Sequence, residues 1–150
     1  MLVVIQRVSQ ATLHIENELR AQIAQGLVVL IGIAHEDTAE DVAWLVPKIV
    51  QLRIFADEDG KMNRAVQEIG GDVLLISQFT LHASTKKGNR PSFLEAAKPD
   101  VAVPLYEQVV SALEEAMGKP IQTGEFGADM QINLTSDGPV TIIIDTKNKN

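Results

Sequence analysis

The chain has no cysteine. That excludes thiolate nucleophiles, zinc–thiolate centres and disulfide staples together, and it fits a reducing cytoplasm. No segment carries the roughly 18 unbroken apolar residues that a membrane helix requires. The opening stretch MLVVIQRVSQATLHI lacks a basic leader and a small-residue cleavage site, so it reads as a strand and not as a signal peptide. A soluble, cytoplasmic protein with no membrane partner is expected. Excess positive charge is missing too, with a formal net charge of −7 and a pI near 4.9. Broad wrapping of nucleic acid, which neutralises many phosphates, is thereby disfavoured. Gripping a single nucleic-acid end is not. His14, His35 and His82 show no HExxH spacing, and no G-x-S-x-G, Walker or dinucleotide glycine pattern occurs. Neither a metal nor an organic cofactor is expected, and a side-chain triad is disfavoured.

What is present suits one core. Hydrophobic residues make up 45% of 150, enough for a single domain over residues 1–150 without staples. No repeat or linker interrupts it, and only residues 145–150, DTKNKN, read as a frayed tail. LVVIQRV is a first strand, and ATLHI and LRAQI flank the polar turn ENE as a hairpin. GLVVLIGI and GDVLLISQFTL are apolar runs of strand length, predicted to be central and buried. Between them Val42, Leu45, Ile49 and Leu52 recur at helical spacing behind a Thr38–Asp41 capping box, with Pro47 a kink or a later start. A second helix is predicted in KPDVAVPLYEQVVSALEEAMG, with Asp100 a candidate N-cap and Gly118 a stop. IQTGEFGADMQINL and PVTIIID return to strand. The expected class is α+β: a mostly antiparallel, barrel-like sheet with two main helices packed on it.

Two stretches carry candidate chemistry. In ISQFTL, at the end of a buried strand, alternation puts Ser77, Phe79 and Leu81 on one face and Gln78 and Thr80 on the other. The bland account is a strand end whose hydroxyls satisfy nearby backbone. The functional account is a site wall, with side-chain donors and free backbone N–H groups able to hold a developing oxyanion. In TSDGPVTIII, Gly138 allows close backbone approach to a ligand, and Pro139 stiffens the turn. A proline that merely starts an edge strand is the plain alternative. Lys86, Lys87 and Arg90 form a small basic cluster in STKKGNRPSF.

SQFTL together with DGPVT resembles the D-aminoacyl-tRNA deacylase family, the D-Tyr-tRNA deacylases. IQRV, RIFADEDGKMN, GNRPSF, LYE and TGEFGADMQI follow in that family's order over essentially the whole chain. The resemblance implies a homodimeric hydrolase of the ester between a D-amino acid, or glycine, and the 3′-terminal ribose of tRNA. It implies that Gly138 and Pro139, as a Gly-cis-Pro turn, complete the partner subunit's pocket and that Arg7 braces the turn. Ser77 and Gln78 match side chains that line the catalytic pocket, Phe79 and Thr80 the segment whose backbone faces the scissile ester, and Phe126 and Met130 the segment near the terminal adenosine. Lys86, Lys87 and Arg90 are candidate tRNA contacts. Ser136 stands where the family usually has asparagine, and Pro47 where it has ordinary helix formers.

On this resemblance, rigid backbone carbonyls beside the α-carbon would reject an L side chain by collision. Thr80 lacks an evident general base in the sequence, so ester attack by water assisted by the tRNA 2′-OH is expected over a threonine nucleophile. The rival from another class is a non-catalytic module that binds the tRNA 3′ end through SQFTL.

Overall fold

The computed structural model describes residues 1–150. Strand β1 (Leu2–Ile15) is the organising element. It runs on where the sequence suggested two strands, because it serves two partners on one edge. Residues 2–8 pair antiparallel with β3 (Gly26–Gly32), and residues 11–15 with β2 (Glu18–Ile23). The β1–β2 turn is two residues, Glu16 and Asn17, with φ of 52° and 66°, the geometry of the favoured tight hairpin. On its other edge β1 pairs antiparallel with β8 (Gln131–Asp145). β3 pairs parallel with β6 (Asp72–Ser77), which pairs parallel with β7 (Gln122–Thr123). β2 curls back against β6 and β7, so the six-stranded sheet is mixed and nearly closed as a barrel. A separate small hairpin joins β4 (Phe55–Ala56) and β5 (Met62–Arg64).

Two helices cover one face. Helix α1 (Ala39–Gln51) begins at Thr38 with the predicted capping box and runs unbroken through Pro47. Ala43, whose carbonyl loses its partner at that proline, is exposed to solvent, as is Pro47 itself. Helix α2 (Pro99–Met117) stops at Gly118 in the left-handed conformation (φ 69°). Its N-cap is Lys98 and not Asp100; Pro99 occupies the first helical position and leaves Asp100 inside the first turn.

The apolar runs are explained by burial on both faces. Along β6, Val73 and Leu75 pack with the helices, whereas Leu74 and Ile76 fill the barrel interior with Val8, Leu13, Ile23 and Val28. Each such leucine contributes about 1.5–3 kcal/mol by leaving water.

The expected fraying from residue 145 does not occur. Thr146 is buried, its N–H donates to Met1 oxygen at 2.8 Å, and Lys147 reaches Asp41 at 3.0 Å. The reason is charge: Asp37 and Asp41 are buried beside the start of α1 and draw cations to themselves. The Met1 ammonium meets Asp37 at 2.7 Å and the Thr146 hydroxyl at 2.6 Å. Burial alone would raise the Asp41 carboxyl. Hydrogen bonds from Thr146, the Thr38 N–H and Lys147, with the nearby amino terminus, outweigh it and bring the pKa down to about 2.

Candidate active site

β6 ends at Ser77, and the chain tightens at once into a 3-10 turn over Phe79–His82. The last ladder bond runs from the Gln78 N–H to Ile31 oxygen at 2.7 Å, and Leu81 N–H then returns to Gln78 oxygen at 3.2 Å. Gly32 permits this turn to lie on β3. A Cβ there would stand 3.0 Å from Gln78 oxygen and 3.1 Å from Leu81 Cβ. The turn overrides the alternation expected beyond Ser77. Ser77, Gln78 and Phe79 consequently wall one cavity together.

That cavity is about 280 Å³, and Phe126, Met130 and Ile132 face the SQF wall across it. A second cavity of about 310 Å³ lies beyond Gln78, lined by Val4, Gln6, Val28, Leu30 and Leu134 and sharing Ile132. Gln78 and Ile132 therefore stand between an aromatic chamber and a mainly aliphatic one that also holds Gln6. Thr80 is outside the lining; its hydroxyl accepts a hydrogen bond from Gln78 Nε2 at 2.5 Å. The N–H groups of Phe79 and Thr80 open the 3-10 turn and have no partner within it.

The basic cluster sits at this site's rim. Phe93 packs edge-on against Phe79, with ring centroids 5.2 Å apart. Ser84 and Ser92 exchange backbone bonds at 2.8 Å and close the loop that carries Lys86, Lys87 and Arg90, all exposed.

Gly138 and Pro139 lie elsewhere. Ser136 opposes Val8 and Thr141 opposes Gln6, so four residues of β8, Asp137 to Val140, bulge out opposite Arg7 alone. The flanking sequences read as two strands are one strand carrying this bulge. The Gly138–Pro139 peptide is cis, and Gly138 has φ 124°. Arg7 Nε donates to Asp137 oxygen at 3.1 Å, and Nη1 to Ile54 oxygen at 2.6 Å. A Cβ on Gly138 would stand 3.1 Å from Arg7 Nη2. Gln6 donates to the Ser136 hydroxyl and accepts from Thr141 at 2.7 Å, closing the base of the bulge. Serine thus supports the turn at the position where the resemblance expected asparagine.

Neither Gly138 nor Pro139 lines its own chain's cavities, although Ile132 of the same strand does. Arg7 is level with Leu27, and Leu27 with Val73. Ser77 lies four residues farther along β6, about 13 Å on. Sequence reasoning did not single out Ile132, which shows only as an ordinary strand residue, or Tyr106, buried in α2 behind the cavity.

Residues 4–145 match the family described as D-Tyr-tRNA(Tyr) deacylase. The chain is 58% identical over 149 residues to D-aminoacyl-tRNA deacylase of Flavobacterium johnsoniae, covering 99% of each chain. It is 60% identical over 149 residues, with the same coverage, to D-aminoacyl-tRNA deacylase of Cytophaga hutchinsonii. Among solved structures it is similar to one described as c-Myc DNA Unwinding Element Binding Protein, with a TM-score of 0.92 and 37% identity over 97% of this chain and 98% of that one. The fold is also that of a probable eukaryotic D-amino acid tRNA deacylase, with a TM-score of 0.81 at 20% identity over 95% of this chain and 97% of that one. The chain belongs to the D-Tyr-tRNA(Tyr) deacylase family.

Proposed function

We propose that the chain hydrolyses the ester joining a D-amino acid to the 3′-terminal ribose of tRNA, releasing free amino acid and tRNA. One arrangement carries the reading: Ser77 and Gln78 face Phe126 and Met130 across a cavity, in a chain that shares 58–60% identity with D-aminoacyl-tRNA deacylases. Phenylalanine and methionine suit the face of a terminal adenine. Ser77 and Gln78 supply hydrogen bonds for ribose and ester, and the first N–H groups of the 3-10 turn are donors for an oxyanion.

The working form is a homodimer in which the Gly138–Pro139 turn of one subunit completes the cavity of the other. Support comes from the lining of the cavity, which lacks Gly138 and Pro139 of its own chain. It comes also from β8, a 15-residue strand paired on one edge only, with Leu134 and Ile143 exposed at 40% and 67%. Such an edge invites a second copy.

The turn's carbonyls act as the chiral filter. A pocket that merely senses one extra methylene gains about 1–3 kcal/mol, too little to spare the L-aminoacyl-tRNA that translation uses. Backbone oxygens close to the α-carbon reject an L side chain by collision and receive the amino group of a D residue. Glycine has nothing to collide, so glycyl-tRNA is also a substrate.

For the chemical step, the Thr80 hydroxyl is engaged by Gln78, and no carboxylate or imidazole hydrogen-bonds to it. Nor does His82 serve it, since His82 Nε2 is buried without a hydrogen-bond partner. Water attacks the ester with the tRNA 2′-OH orienting it, and the protein contributes positioning and oxyanion donors. Incubation with D-, L- and glycyl-tRNA tests the reading. Release of the D and glycyl esters with the L ester spared is expected; protection of all three indicates a binding module instead.

A further inference from the structure

The parallel ladder between β6 and β7 has two rungs, Leu74 with Gln122 and Leu75 with Thr123, and then stops. Beyond it the chains part. β6 continues to Ser77 and hands on to Gln78, while the segment after β7 carries Phe126 and Met130 to the opposite wall. The cavity opens in that gap, at the carboxyl end of neighbouring parallel strands.

Where the ladder ends, a side chain from α2 takes over. The Tyr106 hydroxyl donates to the carbonyl oxygen of Leu75 at 3.1 Å. Gln78 N–H points to Ile31 on β3, and alternation along the strand turns Leu75 to the β7 edge, where it forms the ladder's last rung with Thr123. The same ring meets the ring of Phe126 edge-on, with centroids 6.0 Å apart at 67°. Tyr106 is 8% exposed and belongs to the helix–sheet core.

We infer that Tyr106 is a positioning residue that fixes the spacing between the two walls of the cavity, an inference resting on the reading of that cavity as the active site. Its hydroxyl holds the strand that delivers Ser77 and Gln78 to the ester. Its ring backs Phe126 on the adenosine side. Burial pushes the phenol up to about 12, so the hydroxyl remains a donor throughout the working pH range.

The two roles separate kinetically. Tyr106→Phe keeps the ring and removes the hydroxyl bond to Leu75 oxygen; kcat on D-aminoacyl-tRNA is expected to fall about tenfold with KM within about twofold. Tyr106→Leu also withdraws support from Phe126, and KM is expected to rise about tenfold as well. A merely structural role would lower the melting temperature and the folded fraction but leave kcat per active site and KM unchanged. Wild-type kcat and KM in both folded variants overturn the inference. Gln78→Ala and Phe126→Ala are measured alongside. If these are impaired while both Tyr106 variants are not, only the Tyr106 inference fails; if these too retain wild-type kinetics, the site reading fails with it. Should the Tyr106 variants not fold, the wild type supplies the test, because Tyr106 is its one tyrosine. A ¹³Cζ-tyrosine label is expected to shift when adenosine monophosphate saturates the cavity, and a signal that stays in place overturns the inference.

Discussion

Arg7 holds Asp137 by its backbone and its charge at once: Nε lies 3.1 Å from the carbonyl oxygen and 3.4 Å from the carboxylate. With Nη1 on Ile54 oxygen, the guanidinium ties the β8 bulge to the segment leading into β4. On the proposed reading the bulge is a steric filter whose backbone must not yield, and this clamp resists its yielding.

Arg7→Ala is expected to strip both carbonyls of their donor and destabilise the fold by about 1.5–3 kcal/mol. The ratio of D- to L-ester hydrolysis should fall about tenfold or more, as the filter loses its backing. Arg7→Lys should not restore it, since an ammonium lacks the fork that spans two acceptors. Initial rates on both enantiomers check this; an unchanged ratio in Arg7→Ala contradicts it.

Thr80→Ala should retain about a third or more of wild-type activity, because an unactivated hydroxyl contributes little as a nucleophile. A tRNA ending in 2′-deoxyadenosine should be hydrolysed about a hundredfold more slowly, having lost the group that orients water. Single-turnover rates on matched substrates check both statements. A folded, tRNA-binding but inactive Thr80→Ala would return the role to the threonine.

Reversing charge at Lys86, Lys87 and Arg90 together should raise KM for aminoacyl-tRNA about tenfold at low salt, with the effect shrinking as salt rises. The short substrate D-aminoacyl-adenosine, which does not extend to the rim loop, should be cleaved at the wild-type rate. KM measured across a salt series decides. Indifference to both salt and charge reversal removes these residues from the tRNA path.

The Asp41 cluster sets a pH dependence. Its folded pKa of about 2 lies below the ordinary 3.8, so its stabilisation is fully present above pH 3.8 and disappears as pH falls through about 2. Lys147 is raised above its usual 10.5, through its bond to Asp41, and its contribution is lost only as strong alkali deprotonates it. Asp41→Asn should therefore melt below wild type at pH 6, with the gap closing toward pH 2. Melting temperatures across that range check it.

Much of this fold is legible in local sequence. Thr38 and Asp41 announce the start of α1, Gly118 ends α2 because it alone takes the left-handed cap without strain, and GDVLLIS reads as a buried strand. The features that escaped depend on distant partners. Asp100 resembles a cap until Pro99 is seen to take the first helical position. β1 and β8 look divided because polar residues interrupt their apolar pattern, whereas pairing with each other carries both through the interruption. The tail reads as frayed because nothing local holds Lys147; Asp41, 106 residues away, does so. Alternation past Ser77 fails because Gly32, on another strand, makes room for a tighter turn. SQFTL and DGPVT could each be picked out, yet only the folded chain shows that the cavity walled by the first is not lined by the second.

The central claim is that each site is built from two copies, SQFTL from one and the Gly138–Pro139 turn from the other. The most direct test mixes two damaged variants. Gln78→Ala impairs the cavity, and Gly138→Val displaces the filter through collision with Arg7 and Val140. Random reassembly of equal amounts restores one intact site in each mixed dimer, or about a quarter of all sites. The account predicts that D-selective hydrolysis returns to roughly that fraction of wild type. A mixture whose rates and selectivity merely average those of its two parents would contradict it.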